Sequence, residues 1–394
     1  MPRHLPPTAT PITLSDLRQG LSAPSQALAQ FQLTLAQYLG VRACQLASSG
    51  RTALYLLLKG LAEAADNSAR REVVIPAYTC PALVKVALDV GLRPRLVDIS
   101  PHTLALAPDR LAAYLSEQTL VVICVHPFGL PQPIEDVVAL ARMVGAVVIE
   151  DAAQSMGARL EGQRVGTRGD FGLFSLGPGK PLSTGGGGVV CTSHDAHVRL
   201  IKRAWETLAP SPAMASGWAL SRLALLSLAL HPPGWWLATR FGAHRVGDHE
   251  VSWGYGLRSL TEAQAAVGLA LLKRLDAINC QRRENAYQLM ARLRDINFIE
   301  LPVLAVMAEP IYLRLPVMVD NAERRERLFQ RLWAAGIGVG RMYRQPLPKL
   351  FPELIPETYP GADKVARCLL TLPTHHYLTQ ADVNQIAQIF ERER

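Results

Sequence analysis

The sequence predicts an α/β protein. A large unit built on a mostly parallel sheet, with helices on both faces, is followed by a smaller α+β unit. Three observations carry this. Strand-like and helix-like patterns alternate from Ser25 to Thr192. Leu120 to Val125 is a continuous apolar run, as expected of a strand buried on both faces. Beyond Thr192 the alternation stops, and strand patterns return only near Tyr312. At 394 residues the chain exceeds one ordinary core. With 49% apolar and 19% charged residues, it has the material for a large one.

The elements follow in order. The first residues are Pro-rich and read as extended. Ser25 to Leu39 reads as a helix with Ser25 as N-cap. Ser48, Ser49 and Gly50 open a second helix. Val73 to Ile75 is a short buried strand, Pro81 to Val90 a helix, and Arg93 to Ile99 another strand. After Leu120 to Val125 come a helix over Ile134 to Val144 and the strand AVVIEDAAQ, which ends in acid. DFGLFSL and GGGGVVCTS are further strands. Alternation of this kind indicates parallel strands joined by helical crossovers.

An apolar insert spans about residues 210 to 245. Its centre, Trp218 to Phe241, is rich in tryptophan and leucine but too short to span a bilayer, and Arg222, His231 and Pro232–Pro233 interrupt it. A helical hairpin over the core is the favoured reading; an interfacial element, giving peripheral membrane contact through 218 to 241, is the sharper one. Thr261 to Leu293 reads as one long helix linking two domains, 1 to 275 and 276 to 394. The second domain has strands near Tyr312 to Val319, a helix over Arg324 to Ala335 and a last helix from Gln380.

Composition narrows the function. The net charge is +8, but the 41 Lys and Arg are scattered and form no basic run. Nucleic acid is therefore not expected, whereas anionic small molecules or an anionic membrane surface fit. The six cysteines show no CxxC spacing, which argues for a reducing cytoplasm without disulfides or a zinc site. The start, MPRHLPPTATPITLSDL, lacks the apolar stretch of a signal peptide.

Three motifs carry chemistry. Glu150 and Asp151 follow a buried strand, at the carboxyl edge where open α/β sheets bind ligands. No His cluster or spaced set of carboxylates accompanies them, so a metal is not expected. Ser175 ends the next strand, and Lys180 follows in a Gly/Pro-rich loop. A lysine among backbone dipoles and small side chains can have its pKa lowered, as an amine nucleophile needs. The loop is not a P-loop, because GPGK departs from GxxxxGK(S/T) and Pro181 follows the lysine. In SSGRTAL, Ser49 and Gly50 precede a helix whose free N–H groups suit a phosphate. Each piece alone also has an ordinary structural reading: a strand-end acid, a surface lysine, a simple N-cap. Together they supply what pyridoxal phosphate requires: an amine, an acid for the ring nitrogen and a phosphate cup.

The chain resembles the DegT/DnrJ/EryC1/StrS family of sugar aminotransferases, from about Leu46 to the C-terminus. The resemblance rests on SSGRTAL, VVIPAYTCPALVKVALDVGLRPRLVDI, VVICVHPFGLP, VVIEDAAQSMGA, GDFGLFSLGPGKPLSTGGGGVV, TEAQAAVGL and CLLTLPTHHYLTQADV. It implies the fold-type I architecture with a seven-stranded-type sheet, a pyridoxal phosphate cofactor and a homodimer. It implies that Lys180 holds the cofactor and moves protons, that Asp151 meets the ring nitrogen and that Gln154 meets the ring hydroxyl. Ser175, Gly50 and Arg51 fall on the phosphate site. Dehydratases of the family carry His in place of the lysine, so Lys180 favours amino transfer. The implied reaction moves an amino group from L-glutamate to a nucleotide-linked keto sugar in polysaccharide or glycoconjugate assembly. A non-catalytic scaffold or regulator on the same fold is the alternative.

Four positions depart from the family pattern. Arg51 stands where Thr is usual. Cys80 replaces the aromatic that stacks on the ring, with Tyr78, Phe128 or His126 as candidate neighbours. Gly185 to Gly188 lacks the usual Glu. Gly256 lies near the place of an Asn that reaches the partner subunit's phosphate. Arg341 and Arg344 are candidates to meet acceptor phosphates.

Overall fold

The computed structural model describes residues 3–65, 69–241, 254–352 and 357–393. Its first nine strands are β1 (Ala43–Ala47), β2 (Glu72–Pro76), β3 (Arg93–Val97), β4 (Thr119–Val125), β5 (Val147–Asp151), β6 (Arg159–Leu160), β7 (Gln163–Arg164), β8 (Phe171–Ser175) and β9 (Gly188–Thr192). Seven of them form one sheet in the order β1-β9-β8-β5-β4-β2-β3. All neighbours pair in parallel except β9, which runs against both β8 and β1. The carboxyl ends of β1, β8, β5, β4 and β2 therefore share one edge. The register sets Val125 beside Asp151, and Asp151 beside Leu173.

Four later strands are β10 (Ile299–Glu300), β11 (Ala308–Glu309), β12 (Leu315–Val319) and β13 (Leu369–Leu372). β10, β12 and β13 form an antiparallel sheet; β11 pairs with β6 in a small one with β7. Helices Ala322–Ala334, Pro360–Cys368 and Gln380–Glu391 accompany the later sheet. One apolar cluster runs from Leu54, Leu57 and Val73 through Phe128 to Val317, Leu370 and Phe390, so the two sheets share a core. Each such side chain contributes about 1.5–3 kcal/mol by leaving water.

The structure corrects several local expectations. The helix expected over Ser25 to Leu39 begins at Ala27, and Ser25 does not cap it. Its exposed N–H at Leu28 donates instead to Glu262 Oε2 at 2.7 Å, a partner 234 residues away. The stretch from Thr261 to Leu293 is two helices, Glu262–Leu272 and Leu275–Leu293. A tight turn breaks the ladder, with Arg274 N–H donating to Leu271 O, and Arg274 there reaches the buried Asp16 at 2.6 Å. Strand β12 starts at Leu315 rather than Tyr312, because Tyr312 has a left-handed φ of 44°. The Pro-rich start forms no helix or strand and is buried from His4 to Thr10, and helix Leu14–Leu21 follows it with a Thr13–Asp16 capping box. Strand β1 and helix Asp195–Trp205 carried no clear pattern in sequence.

The apolar insert is a hairpin of helices Ala213–Ala229 and Pro232–Arg240, with the two prolines opening the second helix. Leu220, Leu223 and Trp235 are buried, while Met214, Trp218, Leu225, Leu228, Leu237 and Phe241 are exposed. On the first helix those exposed positions fall on one stripe. Among the described residues no helix is long and apolar enough to cross a membrane. Residues 242 to 245 of the insert lie outside the described residues.

Successive residues of β5 face opposite ways, so Glu150 and Asp151 have different work. Glu150 is fully buried and accepts from the N–H groups of Gly166 (2.7 Å), Arg168 (2.6 Å) and Gly169 (2.6 Å). His126 Nδ1 accepts the Gln132 N–H, so its proton sits on Nε2 and donates to Glu150 Oε2 at 2.9 Å. Burial alone would raise the Glu150 pKa; the His126 hydrogen bond and the backbone donors overcome it and hold it below the usual range. Glu150→Ala should cost about 3–5 kcal/mol of unfolding free energy, read from urea unfolding. Arg42→Ala, which breaks the exposed Arg42–Asp195 pair, should cost under about 1 kcal/mol. A depressed carboxylate stabilises above its unfolded pKa and loses that contribution as pH falls through its folded value. The gap between Glu150→Ala and wild type should therefore narrow in strong acid.

Candidate active site

At the carboxyl edge of the seven-stranded sheet lies a cavity of about 750 Å³. Gly50, Arg51, Cys80, Asp151, Gln154, Ser175 and Lys180 all line it. Sequence positions spread over 130 residues thus converge on one space.

One end is the start of helix Gly50–Ala64. Ser49 caps it, its Oγ accepting the Thr52 N–H at 3.1 Å. A Cβ on Gly50 would stand 3.3 Å from Ser175 Cβ, so a bare backbone lets the end of β8 adjoin the helix start. Gly188 meets the same place from the other side: a Cβ there would lie 2.4 Å from Ser49 O. This gives the run from Gly185 to Gly188 a packing reason. Gly256 is tied to this helix start in the same chain, its carbonyl accepting from Ser48 Oγ and Thr52 Oγ1 at 2.9 Å each.

The middle is set by β5 and the turn after it. Asp151 is buried, and its Oδ1 accepts the Ala153 N–H at 3.0 Å. Burial pushes its pKa up, while the Ala153 donor and the charge of Lys180 oppose this. Gln154 is held at both ends: Oε1 accepts the Phe128 N–H at 3.1 Å, and Nε2 donates to the Tyr343 hydroxyl at 3.3 Å. Phe128 and Tyr343 both have left-handed φ, 57° and 48°, and both line the cavity. Non-glycine residues in that region are strained, and strain of this kind gathers at functional sites. Cys80, Tyr78 and His126 line the same stretch.

Lys180 sits on a loop braced from outside. Thr10 Oγ1 donates to Lys180 O at 3.0 Å, and Arg282 donates to Pro181 O at 3.3 Å. Gly179 has φ 74°, and a Cβ there would be 2.9 Å from Thr8 Cγ2. The buried N-terminal segment therefore seats this loop. Burial lowers the Lys180 pKa; Cys80 and Asp151 pull it up, and the Arg314 charge adds to the lowering. The residue is half-buried by exposure, and desolvation is the largest of these effects.

The hairpin roofs the cavity with Arg222, Leu226, Leu230 and Trp235. Neither it nor Arg314 nor Tyr343 was legible as a site contributor in sequence. Arg341 does not line the cavity: it pairs with Glu326 at 2.8 Å and lies 3.8 Å over the Phe329 ring. Arg344 does not line it either, whereas Tyr343 between them does. Asp170, His194 and His197 bring potential ligand atoms within 4.8 Å of one another, a grouping that sequence spacing did not reveal; none of the three lines the cavity.

A parallel sheet with an amine of lowered pKa and a buried carboxylate at its carboxyl edge defines a class: α/β enzymes suited to amine chemistry on a lysine. The chain belongs to the DegT/DnrJ/EryC1/StrS aminotransferase family, whose model matches residues 17–391. It is 28% identical to a UDP-N-acetyl-3-dehydro-α-D-glucosamine 3-aminotransferase of Acidithiobacillus ferrooxidans, covering 88% of this chain and 82% of that one. It is 27% identical to GDP-perosamine synthase of Caulobacter vibrioides, covering 93% and 90%. Among solved structures it is similar to the sugar aminotransferase CalS13 from Micromonospora echinospora, with a TM-score of 0.77, 26% identity and coverage of 98% and 99%.

Proposed function

We propose that this chain is a pyridoxal phosphate-dependent aminotransferase that moves an amino group from an amino acid, L-glutamate first, to a nucleotide-linked keto sugar. One observation carries the reading: the Lys180 amine and the buried Asp151 carboxylate face one cavity with the Ser49–Gly50 helix start and Ser175. The residues fit the cofactor. The Gly50 cradle would be filled by a side chain, and Asp151 spends only Oδ1 on a protein donor among the described residues. When bound, the cofactor supplies an electron sink for negative charge at the substrate carbon.

This chain's residues do the rest. Helix N–H groups and the Ser175 hydroxyl hold a phosphate. The Asp151 charge would keep a proton on the ring nitrogen, and Gln154, which Phe128 and Tyr343 hold in place, would meet the ring hydroxyl. Lys180 holds the cofactor at rest. When free, its neutral nitrogen would take the proton from the donor α-carbon and return one on the other side of the transfer. A lowered pKa keeps that nitrogen neutral nearer physiological pH. The apolar roof limits water at the reacting atoms.

Three finer readings accompany this. The chain divides into a large unit, 1 to 275, and a smaller one, 276 to 394. It works as a homodimer in the cytoplasm. The exposed stripe of the hairpin, with Trp218 and Leu225, gives it peripheral contact with an anionic membrane where acceptors are assembled. Flotation with anionic vesicles should lift wild type and leave a Trp218→Ser/Leu225→Ser protein behind. Equal flotation of both counts against membrane contact, and light scattering at one chain's mass counts against the dimer.

The central test is spectroscopic. Cofactor-loaded wild type should show a near-visible band that L-glutamate bleaches, and Lys180→Ala should lack the bleaching by at least about 10³-fold in rate. A loaded wild type that never responds to any amino acid would sink the reading.

A further inference from the structure

Asp170, His194 and His197 lie together at the opposite end of β8 from Ser175, and none of them lines the cavity. Each offers one ligand atom, and these atoms lie within 4.8 Å of one another. Two segments bring them there. Asp170 immediately precedes β8, and His194 and His197 open helix Asp195–Trp205. His194 is the N-cap and His197 is three residues on, so both side chains rise from one turn. Their rings stand 5.2 Å apart, edge to face.

The two segments are fixed to each other through Thr192, the last residue of β9. Its Oγ1 donates to Asp170 O at 2.8 Å and accepts the His194 N–H at 3.3 Å. Asp170 Oδ2 accepts the Val148 N–H of β5 at 2.8 Å. That bond orients the carboxylate and leaves Oδ1 without a protein donor among the described residues. The His197 ring stacks on Phe171, with centroids 4.5 Å apart.

Two features of this cluster have no use in the fold. His194 makes no side-chain capping bond, although an N-cap side chain ordinarily does. His197 Nδ1 is buried without a hydrogen-bond partner among the described residues. A buried polar atom left in that state costs free energy and needs a reason. Asp195 is the nearer acid in sequence, but it pairs with Arg42 at 3.4 Å. Asp170 is therefore the carboxylate of the cluster.

We propose that Asp170, His194 and His197 bind one divalent transition ion, Zn²⁺ foremost, which pins the start of helix Asp195–Trp205 to the start of β8. Two imidazoles and one carboxylate are donors that such an ion takes, with solvent in the fourth position. Mg²⁺ and Ca²⁺ need more oxygen ligands than one carboxylate gives. Tetrahedral Zn²⁺ sets its ligands about 3.4 Å apart, and His194, which is exposed, closes the remaining gap by rotating. A helix start disfavours a cation, and the Asp170 charge offsets this. The expectation of no zinc site rested on cysteine spacing, and this ligand set contains no cysteine. The site stands apart from the cavity, so the inference does not depend on the aminotransferase reading.

The test is calorimetric titration of the full chain, first freed of metal by dialysis against a chelator, with Zn²⁺ and then Mg²⁺ as probes. Wild type should bind one Zn²⁺ per chain, and excess Mg²⁺ should not displace it. His194→Gln changes an exposed side chain that caps nothing, and should bind Zn²⁺ at least about 100-fold more weakly. Asp170→Asn, which can still accept the Val148 N–H, should weaken it likewise. Cys280→Ser, which removes the exposed thiol, should bind as wild type does. Saturating Zn²⁺ should raise the Tm of wild type and leave that of His194→Gln unchanged. Wild type that binds no Zn²⁺ overturns the proposal. So does equal affinity in wild type and His194→Gln, or binding that only Cys280→Ser abolishes. Displacement of Zn²⁺ by Mg²⁺ overturns it too, since the site would then select a hard ion.

Discussion

The Lys180 amine and the buried Asp151 carboxylate have to face one cavity at the sheet's carboxyl edge, and the rest of the structure is arranged around that requirement. Burial pushes the Lys180 pKa down and the Asp151 pKa up, each against the pull of the other. Neither shift would survive if the loop carrying Lys180 swung out to solvent. Thr10 and Arg282 grip the loop at Lys180 O and Pro181 O, and the buried segment from His4 to Thr10 lies against it. Asp151 stays put because β5 lies between β4 and β8 in the middle of the sheet. The amine's chemistry is thus a property of the fold more than of the lysine.

The sheet's topology explains why residues far apart in sequence meet. Parallel strands deliver their carboxyl ends to one edge, where turns carry the polar side chains. The reversed β9 lets the glycine run return past the helix start at Ser49 and Gly50, and only glycine fits at Gly188. On the far side of the cavity, the later sheet contributes Arg314 and the hairpin contributes its apolar roof. A shared core links both sheets, so the two halves of the site are held by continuous packing.

Much of this was legible in the sequence. The buried strands announced themselves because apolar runs and turn residues are local signals. Lys180, Asp151, Gln154 and Ser175 were legible because they sit in motifs with fixed spacing. The split at Arg274 was not: the partner of the arginine at that break, Asp16, lies more than 250 residues earlier. The cap at Leu28 was hidden for the same reason: Glu262 supplies it. Arg314 and Tyr343 were missed because nothing local in the sequence marks either as facing the cavity. Arg341 misled because a charge in a loop reads as available until its partner, Glu326, is seen.

The claim on which the account turns is that Lys180 holds the cofactor in this cavity. Borohydride treatment of the cofactor-loaded protein, followed by peptide mass mapping, tests it most directly. The account predicts one pyridoxyl-phosphate mass increment per chain, on the peptide containing Lys180. An increment on another lysine, or none on a protein that has bound the cofactor, would contradict it.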